Sequence, residues 1–418
     1  MLLICAGYVT VFVIVYKWVI VPVWGYEGFR YKTTLARAAT AWVLAGLPSL
    51  WLPIKLTRPS QVVYWLLYIM VLVPACLVPV YSLDDHSHPL ILGTCLVGLF
   101  ALTRLMYYLP LLSLPRVYLE NYEFSLILSL LSISCFSLMF ASFGFHFHFV
   151  SFDDTYTVRA QFKDTLSQVS SIVAYAINWQ AWVINPFVIA VGLGSRRPSW
   201  VLAGVAGQFA IYTICAFRAT FFSAAFLLYI FWLTRSTKTF GIRLAASWTA
   251  ISAAAGAIQL FGYGLMPELF VGLRSAAIPG LLTGYYYEFF SSHPQVHLGH
   301  SIFRSFVTYP YAVEPPYVIG YTYFPPHGMD ANANIWADAY ANFGYPGMVC
   351  FTILFGIVLW LYDSAAAGRD LRLAALVMGL PGVALANGGL LTSLLTDGIG
   401  LAMLLMYLTP STNHQGSQ

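Results

Sequence analysis

Long apolar runs alternate with short polar breaks along the chain, near 2–24, 37–54, 62–81, 89–113, 124–149, 170–193, 199–217, 219–234, 243–263, 346–363, 371–388 and 390–409. A helix crosses a bilayer with roughly 20 predominantly apolar residues, so the pattern predicts an all-α, polytopic integral membrane protein of about 12 transmembrane helices. It divides into N-terminal transmembrane helices over 1–263, about nine of them, and a large loop with short helices over 264–345. A C-terminal set over 346–409, about three spans, and a short tail over 410–418 complete it.

Sidedness follows from the connections, because cytoplasmic loops retain Lys and Arg. Lys55 and Arg58, then Arg116, then Arg196 and Arg197, then Arg235, Lys238 and Arg243, then Arg369 and Arg372 fall on alternate connections, predicted to be cytoplasmic. The intervening connections are Asp84-Asp85-His86, the loop from Asp153-Asp154 to Asp164, and the stretch 264–345, predicted to be exterior. One segment disobeys: Arg30, Lys32 and Arg37 fall on a connection that the span count places outside. Either the short second run is re-entrant or the charge rule is overridden there.

Composition narrows the chemistry. Of 418 residues, 59% are apolar and 9% charged, against about 25% charged in ordinary soluble proteins. No G-x-x-x-x-G-K-[ST] or G-x-G-x-x-G occurs, which argues against ATP-driven transport by this chain alone. A net charge of +4 says little about partners, and nucleic acid is not expected among them. All six cysteines, Cys5, Cys76, Cys95, Cys135, Cys215 and Cys350, stand in apolar runs without C-x-x-C spacing, so neither a disulfide framework nor a zinc site is predicted. The start Met-Leu-Leu-Ile lacks a basic n-region and reads as a retained first span. His293, His297 and His300 do not make a metal motif, since Pro294 disturbs the first helical pair and no H-E-x-x-H is present; no cofactor is expected. His146 and His148 read as interface residues, and Lys17, Arg104 and Asp397 as residues paired in packing.

The stretch 264–345 is the one long connection, and loops of that length are usually functional or disordered. Tyr285-Tyr286-Tyr287, Tyr309, Tyr311, Tyr317, Tyr321, Tyr323 and Trp336 make it too aromatic for a solvated coil, so it should fold as a cap. Rings and amides in an exterior cleft suit carbohydrate, while Tyr and Trp also concentrate in interfacial belts. Arg218 lies where a long apolar stretch must turn, and an ionisable residue at membrane depth is a functional candidate unless it merely snorkels to headgroups. Arg274 stands in an apolar segment with few acids nearby, where a lipid phosphate or diphosphate suits its bidentate fork; Arg304 is a third candidate. Asp330 can cap a helix on which Asn334, Asp338 and Asn342 recur every four residues on one face. Gly344 and Pro346 then end that helix before the next span. The stripe is either a solvated face or, with His327 and the small alanines around it, the lining of a narrow polar site.

Arg218 in an outer turn, Arg274-x9-Gly284 with Pro279, and Asn332-Ala-Asn334-Ile-Trp-Ala-Asp338-Ala-Tyr-Ala-Asn342-Phe-Gly344 leading into a span resemble the oligosaccharide repeat-unit polymerases, the Wzy-type O-antigen and exopolysaccharide polymerases. The residue-level likeness is confined to about 210–350. It implies a GT-C-like, metal-independent glycosyltransferase of the bacterial inner membrane with its site facing the periplasm. The donor and acceptor would be undecaprenyl-diphosphate-linked oligosaccharides, with membrane lipids and chain-length regulator proteins as partners. Under that likeness Arg218, Arg274 and Arg304 hold diphosphate, His327 or Asp338 is the base, and Asn334, Tyr340 and Asn342 orient sugar. An O-antigen ligase shares the arginines and the large loop, and a lipid-oligosaccharide flippase or exporter is the non-enzymatic alternative.

The loop pattern makes a topological prediction. Single cysteines placed at Ser291 or Ala312 should react with an impermeant thiol reagent in intact cells, and one at Thr237 should not; labelling at Thr237 would overturn the sidedness.

Overall fold

The computed structural model describes residues 1–84, 88–115, 117–144, 155–326 and 328–410, and among them every regular element is a helix. Asp85, His86, Arg116, His146, His148, Asp153, Asp154, His327 and the tail Ser411–Gln418 lie outside the described residues.

Among the described residues, eight helices are long and apolar enough to cross a membrane. They are α1 (Leu2–Glu27), α3 (Gln61–Ser82), α4 (Pro89–Tyr108), α5 (Asn121–Phe143), α7 (Ser171–Gly194), α8 (Pro198–Cys215), α13 (Ile335–Ala365) and α15 (Leu390–Leu408). Length and composition thus support eight or nine of the twelve expected spans among the described residues. The runs at 219–234 and 243–263 become α9 (Arg218–Thr234) and α10 (Thr237–Leu260), bent by 97° and counted at most as one further span. The runs at 37–54 and 371–388 yield only α2 (Leu35–Leu50) and α14 (Leu371–Ala384). An apolar run measures composition, whereas helix length is set by where the backbone breaks, here around Trp51–Pro53 and at Gly388-Gly389.

Three of the five basic connections, those of Lys55 and Arg58, of Arg235 and Lys238, and of Arg369 and Arg372, gather at one end of the bundle. Leu56 N–H donates to Thr237 O at 2.8 Å, Arg58 to Leu109 O at 2.6 Å, Arg372 to Arg235 O at 3.3 Å and Arg369 to Tyr407 O at 2.9 Å. Buried Asp363 fastens this end, taking the N–H of Ser60 at 3.0 Å on one oxygen and its hydroxyl at 2.8 Å on the other. At the far end Lys32 pairs with Asp84 at 3.8 Å. The second apolar run therefore leads from the far end to the basic end, and Arg30 and Lys32 stand opposite the other basic loops.

At the centre lies α3, whose whole apolar window is buried. Its companions are α2, α4 and α11 (266–292), with α1 packed along α10, and α13 against α4 and α11. A second group, α5, α7, α8 and α9, is tied to the first through α14, which packs on α7, α9 and the start of α3.

Prolines shape these helices. Each π-helical segment among the described residues, Tyr16–Ile20, Tyr68–Leu72, Gln180–Ile184 and Leu269–Ala277, is followed after one intervening residue by a proline: Pro22, Pro74, Pro186 and Pro279. A proline lacks the N–H and its ring crowds the carbonyl four residues back; a widened turn moves that carbonyl aside and returns the preceding N–H to the fifth residue back. Val73 N–H accordingly bonds Tyr68 O, and Asn185 N–H bonds Gln180 O. The next carbonyl in each case takes a side-chain donor: Ile69 O accepts the Tyr8 hydroxyl at 2.8 Å, and Ala181 O accepts Gln208 Nε2 at 2.8 Å. Gln208 also reaches Ser223 at 2.8 Å and Asn185 at 3.3 Å, so the polar residues of these apolar runs serve one another.

The stretch expected to be a loop over 264–345 is helical at both ends. α11 runs beside α3 with Gly280 against Pro74 and Gly284 against Pro79 and Leu83, close approaches that a side chain at either glycine would block. After α12 (Pro315–Tyr323), α13 begins at Ile335 rather than near Asp330, and its N-cap is Asn334. As expected, Gly344 and Pro346 mark the end of the first helical part: Phe343 and Gly344 lie outside helical geometry, with Gly344 at φ 60°, and α13 kinks there before its apolar remainder. Here too the missing proline donor is replaced: Asn342 O accepts His297 N–H at 3.2 Å, and Ala341 O accepts Val296 N–H at 3.0 Å.

The cap assignment generates a stability prediction. Asn334→Ala should cost roughly 1–2 kcal/mol, as for a lost N-cap, and Asp330→Ala, which removes a partly exposed ion pair, about 1 kcal/mol or less. Thermal unfolding in detergent ranks the two; the reverse order would restore Asp330 as the cap.

Candidate functional site

Three elements that carry cations meet through aromatic contacts toward the far end. α8 ends at Cys215, Ala216 takes a left-handed conformation, and α9 starts at Arg218, so the arginine sits at the turn. α6 (Thr155–Gln168) lies across this turn, with buried Phe162 edge-on to Phe217 at 5.6 Å. Arg159 stands over the Phe217 ring at 4.8 Å, next in sequence to Arg218. On the other side, Phe222 of α9 meets Phe270 of α11 at 4.9 Å. Arg218 is four residues before Phe222 on a helix leaving the far end, and Arg274 four residues after Phe270 on a helix approaching it. Both arginines thus lie on the far-end side of one ring pair, each about a turn away. Arg274 is exposed and feels the charge of Glu27.

Lys163, one turn along α6 from Arg159, pairs with Asp330 at 3.5 Å. Asp330 also accepts Asn332 Nδ2 at 2.8 Å, and the charges of Asp338 and Asp330 both act on the Tyr286 hydroxyl, which donates to Ala331 O at 3.0 Å. The segment 330–338 is in this way connected to the cation row through α6.

Within that segment the sugar-orienting roles expected for Asn334, Tyr340 and Asn342 do not fit. Asn334 is 0% exposed; its oxygen accepts the N–H groups of Trp336 at 3.1 Å and Ala337 at 3.3 Å, and its Nδ2 donates to Thr283 at 2.7 Å. Asn342, also 0% exposed, accepts Leu298 N–H at 2.8 Å and donates to Asp338 O at 2.9 Å. Tyr340 is buried between Tyr287 and Tyr345. Of the four-residue stripe Asn334, Asp338 and Asn342, the helix carries the last two on one face and Asn334 as its N-cap, and the amides are consumed by capping and by stitching the 296–298 segment to α13. The tyrosines 285–287 are likewise buried, with Tyr285 stacked on Tyr323 at 4.0 Å, so they build the cap and do not line a sugar platform.

Asp338 differs, being partly exposed. Its carboxylate lies against Gly389, where an added Cβ would stand 2.5 Å from Oδ2. Gly389 belongs to the tip between α14 and α15, and its neighbour Gly388 faces Asp397, whose carboxylate accepts the Ser393 hydroxyl at 3.1 Å. The tip thus carries a carboxylate on each glycine. Sequence reasoning assigned Asp397 to packing and passed over the cations Arg159 and Lys163; the pairs Gly388-Gly389 and Arg159-x3-Lys163 were the signals in the chain.

Arg304 lies exposed in the turns between Leu298 and Val307, separate from the contacts that gather the other two arginines. His327 falls outside the described residues. His293 stacks on Phe289 at 4.1 Å and bonds its carbonyl, and His297 packs on Phe343. Burial lowers the His300 imidazole below its ordinary pKa, against the opposing charge of Glu314. No group of three or more metal-ligating side chains occurs among the described residues.

No protein-family model, curated protein or solved structure matches the chain.

The Asp338–Gly389 contact is testable as a coupling. Gly389→Ala should destabilise by about 1–3 kcal/mol through overpacking, and removing the obstacle with Asp338→Ala in the same chain should recover most of it. Strict additivity of the two changes in a double-mutant cycle of thermal stability would show that they do not touch.

Proposed function

We propose that the chain is a polytopic glycosyltransferase of the oligosaccharide repeat-unit polymerase type, GT-C-like and metal-independent, acting on undecaprenyl-diphosphate-linked oligosaccharides at the outer face of the bacterial inner membrane. The observation that carries this reading is the placement of Arg218 and Arg274 beside one aromatic contact, at the end of the bundle opposite the clustered basic loops. By the positive-inside rule that end is exterior. Guanidinium groups offer planar, bidentate recognition of phosphate and hold their charge at any working pH.

In the proposed reaction a hydroxyl of the acceptor repeat unit attacks the anomeric carbon of the donor. The new C–O bond forms as the bond to diphosphate breaks, and the diphosphate departs with the electron pair. Arg218 and Arg274 neutralise the charge that develops on it, and fixed charge aimed at a departing anion is the strongest rate-enhancing device open to a site of this kind. The hydroxyl proton passes to a general base, for which the Asp338 carboxylate at the hairpin tip is the nominee and the His327 imidazole the alternative. Asp397, on the adjoining glycine, bounds the acceptor side, and the cap over 293–334 covers the sugar path.

Two sets of variants test the reading in a lipid-linked oligosaccharide polymerisation assay. Arg218→Lys and Arg274→Lys should each lower kcat/KM by roughly tenfold or more, because a point ammonium cannot reproduce the fork. Asp338→Asn should leave a folded protein and single repeat units accumulating on the carrier. Normal polymer from both lysine variants at wild-type expression would refute the diphosphate site, and full-rate polymer from Asp338→Asn would pass the base to His327.

A further inference from the structure

α6 contributes more than a roof to the outer turn. Its apolar residues Val158, Phe162 and Leu166, spaced by four, pack down onto Phe217, Tyr212 and the core beneath them. Arg159 and Lys163, displaced from that stripe by one residue, follow an edge that meets Phe217, the residue before Arg218, at one end and Asp330 at the other. The Lys163–Asp330 pair is partly open to solvent, with side chains 53% and 34% exposed. Such a pair contributes about 1 kcal/mol or less, so a more highly charged anion can displace the carboxylate at little cost.

We propose that Arg159 and Lys163 form, with Arg218, the second wall of the diphosphate site, and that Lys163 exchanges Asp330 for the ligand when it binds. The inference rests on the proposed function and extends it to a helix that the sequence did not nominate. Aromatic support at Phe217 keeps the Arg159 guanidinium planar and raised above the turn, while Lys163 supplies a mobile charge that changes partners. Asp330 is then a competitor that holds the lysine until the anion enters, when its partly exposed side chain turns aside while the buried residues after it stay in place.

The test uses the purified full chain in phosphatidylcholine nanodiscs, titrated calorimetrically with inorganic pyrophosphate. Lys163→Gln and Arg159→Gln should each weaken binding by roughly tenfold, as for one charge-assisted hydrogen bond. Lys163→Arg should bind at least as well as the wild type, and Asp330→Asn should tighten binding several-fold. A purely structural salt bridge would make the Lys163 and Asp330 changes act in the same direction. Absence of saturable binding by the wild type, or an Asp330→Asn variant no tighter than it, overturns the proposal. If Arg218→Gln weakens binding while both α6 variants match the wild type, the α6 wall falls and the polymerase reading stands; if no variant of either set matters, both fall. Loss of pyrophosphate binding in phosphatidylglycerol nanodiscs would assign the cations to lipid headgroups and overturn the proposal as well.

Discussion

A backbone carbonyl or N–H in hydrocarbon has no water to turn to, and every such group must find its partner within the chain. Prolines make this constraint local. Pro22, Pro74, Pro186 and Pro279 each follow a π-helical segment, and Pro346 follows a kink at Phe343 and Gly344. In three of these places the replacement donor is visible, from Tyr8, from Gln208 and from the backbone of His297. Each of these repairs joins two distant segments, so the prolines that weaken single helices also specify which helices are neighbours.

The repairs are also what shapes the far end. Arg274 lies inside the longest π-helical segment, Leu269–Ala277, and its position relative to Phe270 depends on that widened turn. The kink in α13 separates a short first part, Ile335–Asn342, from the apolar remainder and allows the 296–298 segment to pair with the carbonyls that Pro346 leaves without a donor. Asp338 sits in that short part, against the hairpin tip at Gly389 yet connected to the cap. The site is assembled from elements whose mutual positions are determined by backbone pairing before any catalytic group is considered.

Electrostatics then sorts the polar residues. Asp363, Asn334, Asn342 and Gln208 are buried with hydrogen-bond partners, as buried polar groups in an apolar interior require. Glu268 departs from this, being 0% exposed with both carboxyl oxygens unpartnered and lodged against Gly272. Arg159 and Lys163 instead meet Phe217 and Asp330 at the turn that carries Arg218, where the Lys163–Asp330 pair is partly exposed. That contrast, satisfied amides inside and cations at a partly open turn, is the physical basis for reading the first group as architecture and for proposing the second as a ligand site.

Helical class, membrane character and the clustering of basic connections were legible in the chain because they follow from composition and run length, which act residue by residue. Arg218, Arg274 and Asp338 were legible as candidates for a related reason: a charged residue in apolar surroundings is costly and stands out. The number of spanning helices was not legible, since an apolar run such as 371–388 does not reveal that its helix stops at Ala384 and turns at Gly388-Gly389. Nor were the roles of Asn334 and Asn342, which share a helical face with Asp338 yet are spent on a cap and a loop, because spacing defines a face without saying what it meets. The partnership of Lys163 with Asp330, 167 positions apart by numbering, and of Asp338 with Gly389 were decided only by tertiary packing, since nothing local to either residue specifies a neighbour that the fold brings from so far along the chain.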